Sequence, residues 1–448
     1  MTKIIVAKTK LDCEYLLGQF LDENHYDILV EEDTDCYMPP DCISINDNCN
    51  LKCNSCPNGT DERRIAFKFR KNYFSKEEQE QAYLGLREAA TLSQNRGLAA
   101  GPKGEKCGNR EWVSEYQHKI FDVLTSGKTT LDGFDPIQEV IDKYKEADDG
   151  TTTRSIVWLS QKVRDDKFDF EKWLKKTRKL NPEQRKEEAT KIIDTYISQT
   201  TYANAVHSGI AGWFDRYPRI PYGRATAYTQ HHFDKFQMSF PFLQTLNDGF
   251  RELLPKRWTK QREAADKMDP KFLVPGTVFT TITVNKTFRT AAHRDAGDFS
   301  EGLSNLLVLS NTGNYTGGYL IFPEYRVAVN VRPGDLLLVN NHEIIHGNTP
   351  IVLNDDEAER ISLVCYFREK MLELGSYEYE NLRFEYVEQR RKNKEHKLWK
   401  PLWNGVSESM WNDKEWYDYL EEKGGREMLS KYHPEATETT STLDSLFS

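Results

Sequence analysis

Residues 290–298 read Thr-Ala-Ala-His-Arg-Asp-Ala-Gly-Asp, and two shorter stretches follow downstream, His346-Gly-Asn-Thr-Pro and Arg360-Ile-Ser. His293 and Asp295 are two residues apart, so on an extended strand both side chains leave the same face and can bind one ion. His346 would supply a third ligand from a distant strand. Two imidazoles and one carboxylate on one face of an octahedron are typical of non-haem Fe(II) oxygenases, because three positions stay open for co-substrate and dioxygen. The pattern predicts an iron site on a β-rich scaffold.

Arg360 and His342 bear on how this site is completed. The guanidinium of Arg360 is always charged and forked, which suits the tail of a dicarboxylate co-substrate. His342 competes with His346 for the third ligand position, since both flank the same turn. We assign His346, because Gly-Asn-Thr-Pro follows it and its spacing to Arg360 is better. His342 is then expected to form a wall of the site or to orient a ligand.

A His-x-Asp pair alone usually marks a surface pair or a buried histidine whose hydrogen bonds are satisfied. Here the pair ends a strand pattern, a further histidine lies in the next-to-last strands, and an arginine opens the last strand. Between these strands lie the turn-forming sequences Gly-Gly and Pro-Gly-Asp. Together these features favour a metal site over a surface pair or a buried structural histidine.

The length and composition of the chain limit the classes of protein to which it can belong. The 448 residues, 38% of them hydrophobic, are enough for one large enzyme core with additions or for two or three domains. A net charge of -9 argues against coating nucleic acid through bulk charge, although a local basic groove stays open. Eight cysteines in so long a chain indicate a reducing compartment. Without an apolar run of membrane-spanning length or a leader pattern, we expect a soluble intracellular protein. Its oligomeric state is not indicated.

The fold class predicted is α+β, with a double-stranded β-helix, that is a jelly-roll or cupin-like core, buttressed by helices. Short β-branched or aromatic runs separated by Gly, Pro, Asn and Asp predict the strands of this core, at 278–284, 305–310, 318–322, 327–331, 336–340 and 361–367. Five segments are predicted: a small Cys-containing N-terminal unit at 1–60, a mostly helical buttress at 61–217, the β-helix core at 218–370, a helical Trp-rich C-terminal extension at 371–437 and a disordered tail at 438–448.

These motifs resemble the TET/JBP family of 2-oxoglutarate and Fe(II)-dependent DNA-base dioxygenases. The resemblance rests on Ala-His-Arg-Asp at 292–295, His346 with Thr-Pro at 349–350, and Arg-Ile-Ser-Leu-Val at 360–364, and it covers about 275–368. It implies that His293, Asp295 and His346 bind iron, that Arg360 binds the distal carboxylate of 2-oxoglutarate, and that Ser362 lies beside it. Dioxygen is the other co-substrate. The run 279–285 and the Ala-Gly-Asp after the ligands are closer to the thymine hydroxylases. The chain lacks the long insert and the large cysteine-rich region of the animal enzymes, so their mode of DNA engagement is not carried over.

A methyl group on a base is buried in the duplex, so such an enzyme has to flip the nucleotide into a pocket. Aromatic faces would sandwich the base, and polar groups would bind its edge. The candidates just upstream of the sheet are Tyr222, Arg224, Tyr228, His231, His232 and Phe233. Taken singly, each is more often a core or capping residue.

Four cysteines near the N-terminus, Cys42, Cys49, Cys53 and Cys56, have two chemical interpretations. Cys-x3-Cys-x2-Cys is the spacing of a radical-SAM iron–sulfur site, but the series of strand–helix units that this fold needs does not follow. A structural zinc held by four thiolates would stabilise a segment too small for its own core. Unliganded thiols in a loop are the alternative.

The leading hypothesis is hydroxylation of a 5-methylpyrimidine in DNA, with thymine favoured over 5-methylcytosine. The same iron chemistry on a protein side chain or a small metabolite is the second, and the acidic net charge gives it some weight. A cupin-like binding module with a dead metal site is the third. The intact ligand pattern and Arg360 argue against it, because a binding module has no use for an oxo-acid site.

Overall fold

The computed structural model describes residues 2–39, 62–93, 96–102, 179–181, 183–184, 204–216, 220–295, 297–392 and 411–436. The chain divides into two compact units. The first comprises Met1–Gly101, Val206–Pro401 and Gly405–Ser448, and every element below belongs to it. The second, Pro102–Ala205 with Leu402–Asn404, lies almost wholly outside the described residues, and with it most of the predicted helical buttress. The predicted tail at 438–448 lies outside them too.

The described strands are β1 (Lys3–Val6), β2 (Ile28–Val30), β3 (Thr34–Tyr37), β4 (Ile65–Arg70), β5 (Leu92–Ser93), β6 (Val206–Phe214), β7 (Arg224–Ala225), β8 (Thr281–Lys286), β9 (Ser304–Ser310), β10 (Tyr315–Gly317), β11 (Leu320–Phe322), β12 (Val327–Val329), β13 (Leu336–Val339), β14 (Gly347–Asn348), β15 (Ile351–Leu353) and β16 (Arg360–Tyr366). The described helices are α1 (Lys76–Leu86), α2 (Ala227–His231), α3 (Phe233–Met238), α4 (Phe240–Leu253), α5 (Pro255–Ala265), α6 (Tyr377–Lys392) and α7 (Asp413–Tyr432).

Ten of these strands form one large sheet. Its order is β1-β3-β4-β13-β9-β16-β8-β6-β5, with β7 beside β6. A smaller sheet has the order β14-β11-β12-β2, and β10 pairs with β15. β16 lies inside the large sheet, antiparallel to β8 on one side and to β9 on the other. The class is therefore mixed α and β around a large sheet.

Both faces of the large sheet are covered. Leu307 and Leu309 belong to an apolar cluster with residues of α1, α3 and α4. Their neighbours Leu306 and Val308 belong to a second cluster with residues of the smaller sheet. This alternation is the period of a strand whose two faces are both buried. Between the sheets Phe67 stacks on Phe322, with ring centroids 5.2 Å apart.

Several local predictions agree with the structure. The strand runs beginning near 305, 327, 336 and 361 appear as β9, β12, β13 and β16. Ser75 caps α1, accepting a hydrogen bond from the backbone N–H of Glu78, while the Glu78 carboxylate accepts one from the backbone N–H of Ser75. This reciprocal capping box satisfies two backbone donors that the first turn of a helix leaves free.

The N-terminal residues 2–39 differ from the prediction of a small appended unit. β1 pairs with β3, and β3 pairs with β4 at the edge of the large sheet. β2 pairs with β12 in the smaller sheet. β6 similarly lies beside β8, across the segment boundary predicted at 217–218. Exposed sheet edges carry unpaired backbone N–H and C=O groups, and strands from outside the predicted core satisfy these groups here.

The C-terminal helices α6 and α7 pack through aromatic side chains. Trp416 is fully buried at the centre of this cluster, and the guanidinium carbon of Arg383 lies 4.1 Å from the ring centroid of Trp411. None of the helices in the described ranges has both the length and the apolar character needed to cross a bilayer.

Leu337→Ala should lower the free energy of unfolding by about 2–5 kcal/mol, because this fully buried side chain fills the space between the two sheets. Leu84→Ala is the matched control, since Leu84 is 42% exposed on α1 and alanine favours helix. It should change stability by less than about 0.5 kcal/mol. Denaturant titration of both variants checks the difference, and equal losses would contradict the packing described.

Candidate active site

A two-residue antiparallel bridge brings His293 and His346 together. The N–H of His293 donates to the carbonyl of His346 at 2.9 Å, and the N–H of His346 donates back at 3.0 Å. Next along the chain, the N–H of Asp295 donates to the main-chain oxygen of Asn341 at 3.0 Å. These backbone bonds fix the two stretches relative to each other, so the three side chains project from a defined frame.

The side chains of His293, Asp295 and His346 converge on one point. Nε2 of His293 lies 3.4 Å from Oδ1 of Asp295, and Nε2 of His346 lies 3.8 Å from Oδ2. All three ligand atoms are within 4.8 Å of one another. Metal bonds to histidine nitrogen and carboxylate oxygen are about 2.0–2.2 Å long, so atoms at this spacing can close on one ion. The donor set fits a divalent iron and leaves one side of the ion open.

Both histidines are oriented in the same way. Nδ1 of His293 donates to the main-chain oxygen of Ala291 at 2.8 Å, and Nδ1 of His346 donates to that of Ile344 at 3.0 Å. Each acceptor lies two residues before its histidine. With the proton held on Nδ1, the lone pair on Nε2 is free to bind a metal.

The protonation states suit a cation at this point. Burial disfavours the charged form of Asp295, but contact with the imidazoles of His293 and His346 lowers the pKa of the carboxyl to about 2. Burial, together with the charge of His293, lowers the pKa of His346 to about 4, so this imidazole is neutral near pH 7. Burial opposes protonation of His293 as well, yet the adjacent Asp295 raises its pKa. An ionised carboxylate between two imidazoles is the charge state in which such residues bind metal.

His342 lies outside this group of ligand atoms. Its Nδ1 donates to the main-chain oxygen of Asp295 at 3.2 Å. The side chain therefore supports the ligand loop, and the structure brings His346 to the ligand position.

Arg360 opens β16 and is 2% exposed. Ser362, two residues further on, shares its face of the strand and lines a cavity of about 250 Å³ that also contains the three ligands. Among the residues that the structure describes, no carboxylate forms an ion pair with Arg360, and its Nε is buried without a hydrogen-bond partner. Leaving a buried charged donor unpaired is costly, which is what a site for an anionic co-substrate requires.

The cavity is bounded by facing strands and by two loops. Its lining comprises Arg96, Ala99, Thr283, Asn285, Phe288, Thr290, His293, Arg294, Asp295, Gly297, Asp298, Leu306, Leu320, His346, Asn348, Ser362, Val364, Tyr366 and Arg368. Of its apolar residues, Leu306 lies on β9 of the large sheet and Leu320 on β11 of the smaller sheet.

Sequence reasoning missed three charged residues of this lining, Arg96, Asp298 and Arg368. Asp298 is buried, its carboxyl accepts a hydrogen bond from Ser304, and burial and the nearby Asp295 raise its pKa well above the ordinary value. Arg96 donates to the carbonyl of Gly209 at 3.0 Å. The motif around Asp295 could have pointed to Asp298, three residues on. No sequence signal pointed to Arg96, which lies far upstream.

The upstream aromatic and basic candidates do not line this cavity. Tyr222 packs edge-on against Phe384 of α6. Tyr228 donates to the carbonyl of Gly85 at 2.7 Å, and Arg224 donates to the main-chain oxygen of Asp215 at 2.8 Å. His231, His232 and Phe233 lie on or between the short helices α2 and α3 and are exposed. None of the six residues lines the cavity, so the predicted base pocket does not form there. Cys42, Cys49, Cys53 and Cys56 lie outside the described residues, so a zinc site there stays a prediction.

The three side chains form a two-histidine, one-carboxylate group that could hold one metal ion. Residues 216–369 match the model of the Tet_JBP family, the oxygenase domain of the 2OGFeDO superfamily. This is the family that the motifs of the sequence resemble.

Similar proteins agree with this assignment. Thymine dioxygenase JBP1 of Leishmania braziliensis is 33% identical over 175 residues, which is 38% of this chain and 21% of that protein. The bifunctional helicase and thymine dioxygenase JBP2 of Trypanosoma brucei brucei is 37% identical over 164 residues, 36% of this chain and 15% of that protein. The chain thus spans only about a fifth or less of these curated relatives. A solved complex of NgTET1 with 5mC DNA has a TM-score of 0.32 and 20% identity over 42% of this chain and 69% of that chain, a likeness too weak to carry an argument.

Substituting each ligand separately should abolish metal binding without unfolding the protein. His293→Ala, Asp295→Ala and His346→Ala each remove one of the three atoms that converge, so the affinity for Fe(II), or for Mn(II) as a stable probe, should fall at least about 100-fold. His342→Ala is the matched control and should bind the metal nearly as well as the wild type. Anaerobic titration calorimetry measures these affinities, and circular dichroism checks the fold. Loss of binding in the His342 variant with retention in the His346 variant would reverse the ligand assignment.

Proposed function

We propose that this protein is a 2-oxoglutarate and Fe(II)-dependent dioxygenase that hydroxylates the 5-methyl group of a pyrimidine base in DNA, with thymine favoured. The observation that carries the proposal is the convergence of His293, Asp295 and His346 in a cavity that is also lined by Ser362, two residues after the buried Arg360. The family match and the thymine dioxygenase relatives support the same chemistry. The core is proposed to be a double-stranded β-helix formed by the smaller sheet and the strands of the large sheet that face it.

Each residue has a role that follows from its position. His293, Asp295 and His346 would hold the iron. Arg360 anchors the distal carboxylate of 2-oxoglutarate, and Ser362 lies beside the same molecule on the same strand face. When bound, iron and 2-oxoglutarate supply the oxidising power. The protein orients the methyl group toward the open side of the metal and excludes water from the cavity.

A base must leave the duplex to reach this cavity, since the ligands lie between two sheets and not on a flat surface. Besides the metal ligands, the lining contains four charged residues. Arg294 pairs with Glu14 and Glu324, which leaves Arg96, Asp298 and Arg368. Guanidiniums can meet a phosphate or a base carbonyl, and the carboxyl group of Asp298 adds a further polar group to the same lining. These groups support a flipped thymine as the substrate. Acting on DNA would place the protein with its DNA in the cell.

The second candidate is the same chemistry on a protein side chain or a small metabolite, which the net charge of -9 favours. Incubation with Fe(II), 2-oxoglutarate and thymine- or 5-methylcytosine-containing DNA, followed by nucleoside digestion and mass spectrometry, separates the candidates. 5-Hydroxymethyluracil or 5-hydroxymethylcytosine is expected, with the first more abundant. Succinate formed only with non-DNA substrates would favour the second candidate, and absence of both products would leave a binding module.

Arg360→Lys should raise the concentration of 2-oxoglutarate needed for half-maximal turnover by about tenfold or more, because a lysine cannot reproduce the bidentate contact with a carboxylate. The maximal rate at saturating co-substrate should change much less. Arg326→Lys is the control, since Arg326 forms a surface ion pair with Asp27. Steady-state succinate release measures both variants, and an unchanged requirement in the Arg360 variant would move the anchor elsewhere.

A further inference from the structure

Asn341 lies in the turn that follows β13, beside the metal ligand Asp295. We propose that Asn341 is a positioning residue, whose side-chain amide donates a hydrogen bond to the carboxylate of Asp295 and holds it toward the two histidines. The inference rests on the metal site of the function proposed above. It adds a residue that the ligand motifs do not contain.

The turn holds the backbone of Asp295 at two atoms. The N–H of Asp295 donates to the main-chain oxygen of Asn341 at 3.0 Å. The main-chain oxygen of Asp295 accepts a hydrogen bond from Nδ1 of His342 at 3.2 Å. The side chain of Asn341 therefore starts from a backbone that is already bonded to the ligand residue, although the two are distant in sequence.

The amide of Asn341 is buried against this ligand. Asn341 is 0% exposed, and its side chain is one of the hydrogen-bonding groups that lower the pKa of the Asp295 carboxyl. Apart from Asp295, neither Nδ2 nor Oδ1 of Asn341 has a hydrogen-bond partner among the residues that the structure describes. An ionised carboxylate can only accept, so the NH2 group is the part of the amide that faces it.

An amide in this position is not explained by packing. A buried amide has two N–H donors and an acceptor oxygen, and each of them that stays without a partner destabilises the folded protein. An apolar side chain would fill the same space without this loss. The contact with Asp295 is the one feature of the described surroundings that requires a donor at residue 341.

Asn305 shows the bonding of a buried amide whose role is structural. It is also 0% exposed, and its Nδ2 donates to the main-chain oxygens of Leu303 at 3.4 Å and Cys365 at 3.3 Å. These bonds join strands of the large sheet. The amide of Asn341 has no such main-chain partner among the described residues, and the group it meets is a metal ligand.

The two residues of the turn thus contribute differently to the site. His342 bonds the main chain of Asp295, whereas Asn341 contacts its side chain. Partners of this kind orient a metal ligand before the metal binds, because they restrict its rotation. Loss of Asn341 should therefore weaken metal binding more than loss of His342.

Asn341→Ala tests the proposal without depending on turnover. Titration calorimetry should show Mn(II) binding about tenfold or more weakly, which is the usual effect of removing a group that orients a metal ligand. The visible absorption spectrum of bound Co(II) should also change, because the carboxylate of Asp295 can rotate. Without metal, the variant should unfold within a few degrees of the wild type. Asn341→Leu, which is branched like asparagine but has no donor, should lose the same affinity, so that a cavity left by alanine is not the cause.

Asn305→Ala is the matched control with the opposite pattern. It should unfold at a lower temperature and keep both the Mn(II) affinity and the Co(II) spectrum of the wild type. Wild-type Mn(II) affinity in the two Asn341 variants overturns the proposal, and so does unfolding of both, since the amide would then be structural. If the wild type itself binds neither Mn(II) nor Co(II), the proposed function fails. Failure of the Asn341 proposal alone is distinct, because the wild type and the Asn341 variants would then bind metal equally well.

Discussion

The site depends on one short interaction, the reciprocal pair of backbone hydrogen bonds between His293 and His346. Side chains alone could not hold three ligand atoms within a few ångströms, because imidazole rings and carboxylates rotate freely on an unconstrained loop. The bridge fixes two backbones, and the hydrogen bonds from Nδ1 to main-chain oxygens two residues back then fix both rings. Metal geometry is therefore set before any metal binds, which is the condition for selective binding by a small number of ligands.

This preorganised site contains buried charges, which lower the stability of the protein. Asp295 is held ionised among imidazoles, and Arg360 is buried with no carboxylate to neutralise it among the described residues. Both would be destabilising in a protein selected for stability alone, because desolvation of an unpaired charge outweighs what packing returns. The surrounding core offsets the cost: apolar clusters cover both faces of the large sheet, and Phe67 and Phe322 stack between the sheets. The apolar scaffold stabilises the folded protein, and the buried charges of the site reduce that stability.

Local chemistry was predictable from the sequence where it depended on nearby residues. The spacing of His293 and Asp295, the capping box at Ser75 and the alternation along β9 and β16 are all short-range patterns, and the structure shows each in place. Partners distant in sequence were not predictable in this way. Nothing in the pattern around residue 96 indicates that Arg96 reaches the cavity, because that position is decided by where the chain folds back. The aromatic residues from Tyr222 to Phe233 carried the right chemistry for a base pocket, yet Tyr222 and Tyr228 are buried in other contacts, Phe233 is exposed, and none of them lines the cavity. The amino-acid sequence identifies candidate site residues, but tertiary packing decides where in the fold each of them lies.

The start of β16 shows how the fold keeps one charge paired and leaves its neighbour free. Glu359 and Arg360 are adjacent and of opposite sign, yet they do not neutralise each other, because successive side chains leave opposite faces of an extended strand. Glu359 accepts hydrogen bonds from Tyr83 at 2.7 Å and from Nε of Arg87 at 2.9 Å, both on the side of α1, and it also pairs with Lys286. Its carboxylate is thus fully engaged away from the cavity. On one face of the strand, Glu359 forms these hydrogen bonds and this ion pair. On the other face, Arg360 has no carboxylate partner among the described residues. Arg360 lies over the ring of Tyr315 and has no carboxylate partner among the described residues, so an anionic co-substrate would supply the charge that it lacks.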